Sequence, residues 1–389
     1  MKNKLLLSTA LVGGLALTGV AHAQTTITGA LNLSYKSASN EGVANTNVTE
    51  ANRTNGTDSS FGRESQINVQ NKGKLNNGID YAAGFSLEFD GLNGGTNADT
   101  NQAGAHSRVS RIANENVFID LIFGNTTLSV GSDHLNNMSF SAVPRVAQHM
   151  GTTLSGVAMD IGSNISISQS ANAGGGTAYR FYPGGAALGA SNYMGIGAQQ
   201  TTPFGTITGQ YFPRANAQQA GNDGLVRQTS ADAYELHYRG NLGVKGLTAT
   251  VGYNVIKQNG ATTAAGGADD QTGKAIGLGY NFGSAAVGVQ KTYTDNGGKA
   301  ATQIDINSLE LGATYALTKD ITLGVLRTRT SGQFFTAVDM PGDETSTAFS
   351  VGYNLGAINT SLTYAQAKDI RGVSGVESDI FLARAGVNF

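Results

Sequence analysis

The stretch GIDYAAGFSLEFD, residues 78–90, decides the fold. Ile79, Tyr81, Ala83, Phe85, Leu87 and Phe89 fall on one parity, and Asp80, Ala82, Gly84, Ser86, Glu88 and Asp90 on the other. Successive side chains of a strand point to opposite faces, so the run predicts a strand with one apolar and one polar face. TITGALNLSY (26–35) repeats the pattern, with Ile27, Leu31, Leu33 and Tyr35 opposing Thr28, Ala30, Asn32 and Ser34. The chain also ends on such a run, FLARAGVNF (381–389), in which Phe381, Ala383, Ala385, Val387 and Phe389 alternate with Leu382, Arg384, Gly386 and Asn388. Termini are usually polar and frayed. This one reads as pinned into a sheet.

The opposite end has a different character. Lys2 and Lys4 precede an apolar run from Leu5 to Val20, followed by Ala21-His22-Ala23. That is the layout of a cleaved secretory signal peptide over 1–23 with a mature start at Gln24. The chain has no Cys and no Trp, so an exported protein of this sequence holds no disulfides. A net charge of −2 gives no electrostatic footprint for nucleic acid. Only 13% of residues are charged, against about 25% in ordinary soluble domains. Gly is abundant at 54 and Pro scarce at 5. No later run is apolar for the length a membrane helix needs. Two classes remain, a secreted β protein and an outer-membrane barrel, whose strands need only alternate.

Alternating runs recur to the C-terminus, three of them in 156–161, 163–170 and 175–182. Short connections at 123–125, 201–205, 282–283, 317–320 and 355–356 alternate with long polar ones at 37–60, 91–113, 134–155, 214–230, 258–272, 331–344 and 368–377. Hairpins repeat in GLGYNFGSAAVGVQ (277–290), LGATYALTKDITLGV (311–325) and SVGYNLGAINTSL (350–362). In hydrocarbon every backbone N–H and C=O needs a partner within the protein, and a closed barrel provides it while leaving no edge. The expectation is an all-β transmembrane antiparallel up-and-down β-barrel of 16–18 strands, a single domain over 24–389, with long external loops and short periplasmic turns. The final strand must then pair with the first, with Phe381 and Phe389 outward and Arg384 and Asn388 inward.

Several stretches resemble Gram-negative general diffusion porins. TTITGALNLSYK (25–36) is similar to their opening strand, SSFGRESQINVQNKGKLNNGIDYAAGFSLEFDG (59–91) to the second and third, and NENVFIDLIFGNTTLSVGSDH (114–134) to the fourth and fifth. Phe389 after alternating apolar residues resembles the signal read by the barrel-insertion machinery. The resemblance implies a homotrimer in the outer membrane, in contact with its lipid and lipopolysaccharide, each barrel holding a water-filled lumen for small hydrophilic solutes. It also implies that the loop after the fifth strand, HLNNMSFSAVPRVAQHMGTTLS (134–155), folds inward as a constriction. That loop lacks the acidic residues common in the family and offers His134, Arg145 and His149. Ser60 and Glu64 stand where the family commonly has basic wall residues. The hairpins add to eighteen strands, where typical members have sixteen.

With apolar residues facing lipid, the inward acids are Glu64, Asp80, Glu88, Asp90, Asp120, Asp133, Asp160, Glu235 and Glu310, against Arg239 and Arg384, with His237 titratable. Rings of one sign favour ions of the other, so the wall reads as weakly cation-preferring. Arg145 in the loop, with Arg108 and Arg111, opposes it. Pore-lining residues are expected at Asp133, His134, Arg145, His149, Glu64, Glu88 and Glu310. Arg327 and Arg329 share parity with Ile321, Leu323 and Val325. Either a bulge shifts the register or they stand at the outer rim beside lipopolysaccharide phosphates.

The sequence holds no G-x-S-x-G elbow, H-E-x-x-H or phosphate loop. His134 and His149 with Asp133 make a weak metal set, and packing of a loop on the wall explains them as well. No catalytic residue, cofactor or metal is expected. A passive channel is the reading. Its alternatives are a substrate-specific channel, whose lumen carries a ladder of aromatics in place of Gly, Ser, Thr and Asn, and an outer-membrane barrel enzyme.

Overall fold

The computed structural model describes residues 23–41, 56–91, 111–132, 141–146, 194–213, 231–258, 270–295, 305–332, 342–369, 374–375 and 377–389. Sixteen strands follow one another: β1 (Gln24–Glu41), β2 (Gly56–Lys74), β3 (Asp80–Gly91), β4 (Arg111–Phe123), β5 (Thr126–Ser132), β6 (Met194–Thr202), β7 (Gly205–Phe212) and β8 (Ala231–Gly240). Then come β9 (Leu247–Gln258), β10 (Gln271–Asn281), β11 (Ala285–Asp295), β12 (Asp305–Ala316), β13 (Ile321–Gly332), β14 (Glu344–Asn354), β15 (Ile358–Lys368) and β16 (Glu377–Asn388). Each pairs antiparallel with its neighbours in sequence, and β1 pairs with β16, so the sheet closes on itself. Among the described residues no helix is long and apolar enough to cross a membrane.

The strand number is the lower end of the expected range. β5 pairs directly with β6, from Thr126 opposite Gln200 to Ser132 opposite Met194. The wall therefore has no place for a further pair between them. The runs 156–161, 163–170 and 175–182, within which the extra pair of the count of eighteen would fall, lie outside the described residues.

Alternation becomes geometry. Ile27, Leu31 and Leu33 on β1, Ile276 and Leu278 on β10, and Leu362 and Tyr364 on β15 are all exposed. Between them, Ser86, Thr208, Thr250, Thr292, Ser308, Thr330 and Ser361 point inward and are buried. A soluble protein would bury the first set. Here it forms a continuous outer face suited to lipid, and the polar set faces the lumen.

The short turns lie at one end. Three share the chemistry N-x-G: the amide of Gly243 donates to Asn241 Oδ1 (2.9 Å), Gly283 to Asn281 Oδ1 (2.7 Å) and Gly356 to Asn354 Oδ1 (2.8 Å). The glycines have φ of 81°, 99° and 85°, a region that costs other residues strain.

Phe389 continues the ladder between β16 and β1 beyond the last strand residue. The Phe389 amide donates to the Gly29 carbonyl (3.0 Å), and the Gly29 amide to the Phe389 carbonyl (2.7 Å). Ala30 to Glu41 then pair with Asn388 to Glu377 without a shift. Phe381 and Phe389 are exposed on the outside, as expected. The Phe389 ring lies on Gly29, where a Cβ would collide with it.

Candidate functional site

Residues 141–146, from the middle of the expected constriction segment, lie against the inner wall. The sequence of the wall explains how they fit. Inward positions on β10 to β14 include Gly277, Gly279, Gly288, Gly312, Gly324 and Gly352, and the segment occupies the space their missing side chains leave. A Cβ on Gly288 would stand 2.5 Å from the Ala142 carbonyl oxygen and 2.8 Å from Pro144 Cδ. One on Gly324 would be 2.5 Å from Val146 Cγ2, and one on Gly352 2.8 Å from Val146 Cγ1. Ala142, Val143 and Val146 are buried in this groove.

Polar contacts fasten it. Arg239 Nη1, from β8, donates to the Ser141 carbonyl at 2.8 Å. The Ala142 amide donates to Gln290 Oε1 on β11 at 3.2 Å. Arg145 Nη2 donates to Ser141 Oγ at 3.1 Å and forms an ion pair with Glu310 on β12. The two side chains of that pair are only 13% and 9% exposed. Two expected pore residues are therefore brought together, and each cancels the charge of the other. The other acid–base balance changes as well. Asp80 does not line the lumen alone, because Lys74 Nζ sits 2.7 Å from its Oδ1 at the turn end.

Asp120, Glu235 and His237 are buried on the inner face as expected. His237 Nδ1 lies 3.0 Å from Glu235 Oε1, and Gln210 Nε2 donates to the same oxygen at 3.4 Å. Glu64 registers with Asn32 and Asp90, and Glu88 with Gln66 and Ala113, but their side chains fall outside the described residues. Asp133, His134, His149 and Asp160 lie outside them altogether. Among the described residues no group of His, Cys, Asp and Glu has the composition of a metal site.

Sequence reading missed several lumen groups. Glu344 on β14 is buried with the inward parity of Ser346 and Ala348. Lys72 and Lys74 share the inward parity of Gln70. Phe118 and Phe212 also point inward. They flank two glycines: Phe118, Gly131 and Gly195 are successive register partners across β4 to β6, and the Phe212 ring on β7 lies beside Gly195. A Cβ on Gly195 would approach Phe212 Cδ1 to 2.6 Å, and one on Gly131 would approach Phe118 Cβ to 2.8 Å. Parity with Asp120 and Gln210 was the available signal. The glycines opposite them carry no pattern within their own strands.

Of the two readings of Arg327 and Arg329, the structure excludes the bulge and leaves the outer face. β13 pairs with β12 from Ile306 to Ala316 and with β14 from Thr345 to Tyr353 with no shift. No bulge turns these side chains inward. Both are exposed on the outer face.

The same architecture recurs in solved porins. A mutant of the Rh. blastica porin superposes with a TM-score of 0.52 at 13% identity, covering 94% of this chain and 100% of that one. OmpT of Vibrio cholerae, an outer-membrane protein, gives 0.54 at 13% identity over 96% and 99%, and its loop L8 deletion mutant 0.56 at 13% over 94% and 99%. At such identities the likeness is one of fold. A search of curated protein sequences returns no match. The sequence model described as Gram-negative porin, however, matches residues 8–367, so this chain belongs to the Gram-negative porin family.

Proposed function

We propose that the protein is an outer-membrane channel for passive diffusion of small polar solutes and ions, with a weak preference for cations. The observation that carries this reading is the segment 141–146, seated inside a closed barrel of sixteen strands. Barrels of that size leave an aqueous channel, and a segment across the inner wall narrows it. No step of the proposed transport is catalytic, and no cofactor takes part. The signal peptide is removed after Ala23, the short turns face the periplasm, and the barrel is inserted through recognition of its C-terminal strand and assembled as a homotrimer.

The cation preference rests on what Glu310 does. It neutralises Arg145, the described cation of the constriction, and Asp80 pairs with Lys74, so Asp120, Glu235 and Glu344 on the wall, with Glu64 and Glu88, outnumber Arg239, Arg384 and Lys72. Fixed charge at the narrowest point weighs most on selectivity. Asp133, His134 and His149 are proposed to line the same constriction.

A substrate-specific channel is the second reading, favoured by Phe118 and Phe212 on the inner wall. Two rings are not a ladder along the pore. Liposome swelling with neutral sugars of rising size separates the two. Rates that fall smoothly with size support general diffusion. A sharp advantage for one sugar over others of equal size supports specificity, and no swelling from folded protein contradicts a channel.

A further inference from the structure

On the inner face of β8, Glu235 stands four residues from Arg239, on the side of the long connections. That places it about 13 Å along the strand from the residue that holds the constriction segment. Its two oxygens have different surroundings. Oε1 lies 3.0 Å from His237 Nδ1 and accepts from Gln210 Nε2 at 3.4 Å. Among the described residues Oε2 has no hydrogen-bond partner, although Glu235 is only 5% exposed.

A second open acceptor stands next to it. Asn254 on β9 is the register partner of Glu235, which sets their Cβ atoms about 4.5–5.5 Å apart on one face. Asn254 is also buried, and among the described residues its Oδ1 has no partner either. The amide lies over Gly273 of β10, where a Cβ would collide with Oδ1. Gly252 opposite His237 and Gly197 opposite Gln210 leave further room on the same face. The next inward row toward the long connections, Phe212 opposite Ala233, is apolar and buried.

Buried charges are ordinarily paired and hydrogen-bonded. Glu310 has Arg145, whereas Oε2 of Glu235 meets no donor among the described residues. A guanidinium takes both oxygens of a carboxylate in a fork, and here Oε1 is already engaged. A calcium ion takes about six to eight oxygens, far more than this pair supplies. A primary ammonium is a compact charge with three N–H donors, and it suits one carboxylate oxygen beside one amide oxygen. We propose that Glu235 and Asn254 form a binding site on the inner wall for solutes that carry a primary ammonium group, with the alkyl part of the solute toward Phe212 and Ala233. The inference rests on the reading of the barrel as a channel, which brings solutes to this wall, and goes beyond it by naming a chemical class and its residues.

Folded, heat-modifiable protein in zwitterionic micelles is titrated with butylammonium at neutral pH, and binding is read by saturation-transfer NMR, which needs no conduction. Saturable binding is expected in the wild type. Removing the carboxylate in Glu235→Gln should weaken it about tenfold or more, the usual loss for a hydrogen bond to a charged group. Asn254→Ala should weaken it several-fold while leaving net charge unchanged. Tetramethylammonium, a cation without N–H donors, should not compete. Wild-type affinity in either variant overturns the site. Competition by tetramethylammonium as strong as by unlabelled butylammonium overturns it as well, because attraction to a negative wall then suffices, and this test needs only the wild type. Equal affinity for butylguanidinium overturns the ammonium group as the ligand. Current through planar bilayers is recorded from the same preparations. Absent butylammonium binding with conductance intact refutes this inference and leaves the channel standing, and binding by a barrel that passes no current refutes the channel instead.

Discussion

At the scale of single residues, Arg145 and Glu310 decide most. Both are nearly buried, and removing one partner of a buried pair typically costs about 3–5 kcal/mol because the other charge is left without compensation. Glu310→Gln leaves a net positive charge on the constriction segment. Its expected result is a reversal potential moved toward the anion limit in a KCl gradient, with noisier open-channel current as the segment loses a fastening. Arg145→Gln removes the opposing charge and moves reversal toward the cation limit. If both variants shift in the same direction, the pair does not control selectivity. Arg239→Ala tests the second fastening. It deletes the donor to the Ser141 carbonyl, and loss of one such charge-assisted bond is worth about 1.5–3 kcal/mol, so current noise should rise with a smaller change in selectivity.

At the scale of elements, the groove on β10 to β14 is where composition acquires a cause. Gly288→Val places a side chain where the Ala142 carbonyl and Pro144 already sit, and overpacking costs typically about 1–3 kcal/mol. The barrel should still fold, because its ladder is unchanged, while the displaced segment gives an altered conductance. Gly283→Ala, in an open turn at φ 99°, should cost about 1 kcal/mol through strain and leave conductance alone. Wild-type current from Gly288→Val would contradict the groove. The closing strand gives another test. Deleting Phe389 removes both backbone bonds to Gly29, and the fraction of heat-modifiable, folded barrel on an unheated gel should drop several-fold.

Those elements also show what a sequence carries. Alternation in 26–35, 78–90 and 381–389 is a local property, so strand identity, parity and the short turns were legible, as was the pairing of the last strand with the first. Inward placement of Asp120, Glu235 and His237 followed from parity alone. The pairing of Arg145 with Glu310 joins positions 165 apart and depends on where a loop lands, which no periodicity encodes. The glycines of the groove are dispersed over five strands and become one surface only after closure. The count of eighteen strands failed because alternation in 156–182 is no evidence of a place in the wall. Wall membership is set by ladder partners, and β5 takes β6. Arg327 and Arg329 broke parity for a different reason, since the rim of a barrel has no need of an apolar outer face.

At the scale of the molecule, an apolar outside and a polar, partly filled inside describe a channel. Homotrimer assembly is checked on unheated gels after chemical cross-linking of folded protein, where a band at three times the monomer mass is expected. A monomer alone would contradict it. The proposed channel conducts ions through a lumen narrowed by residues 141–146. The most direct test is to place the mature protein in a planar bilayer and record single-channel current, then reversal potential across a tenfold KCl gradient. Stable, stepwise openings and a reversal displaced partway toward the potassium limit are expected. Folded, heat-modifiable barrel that passes no current would contradict the channel itself, and reversal near the chloride limit would contradict the neutralisation of Arg145 by Glu310 as the basis of its selectivity.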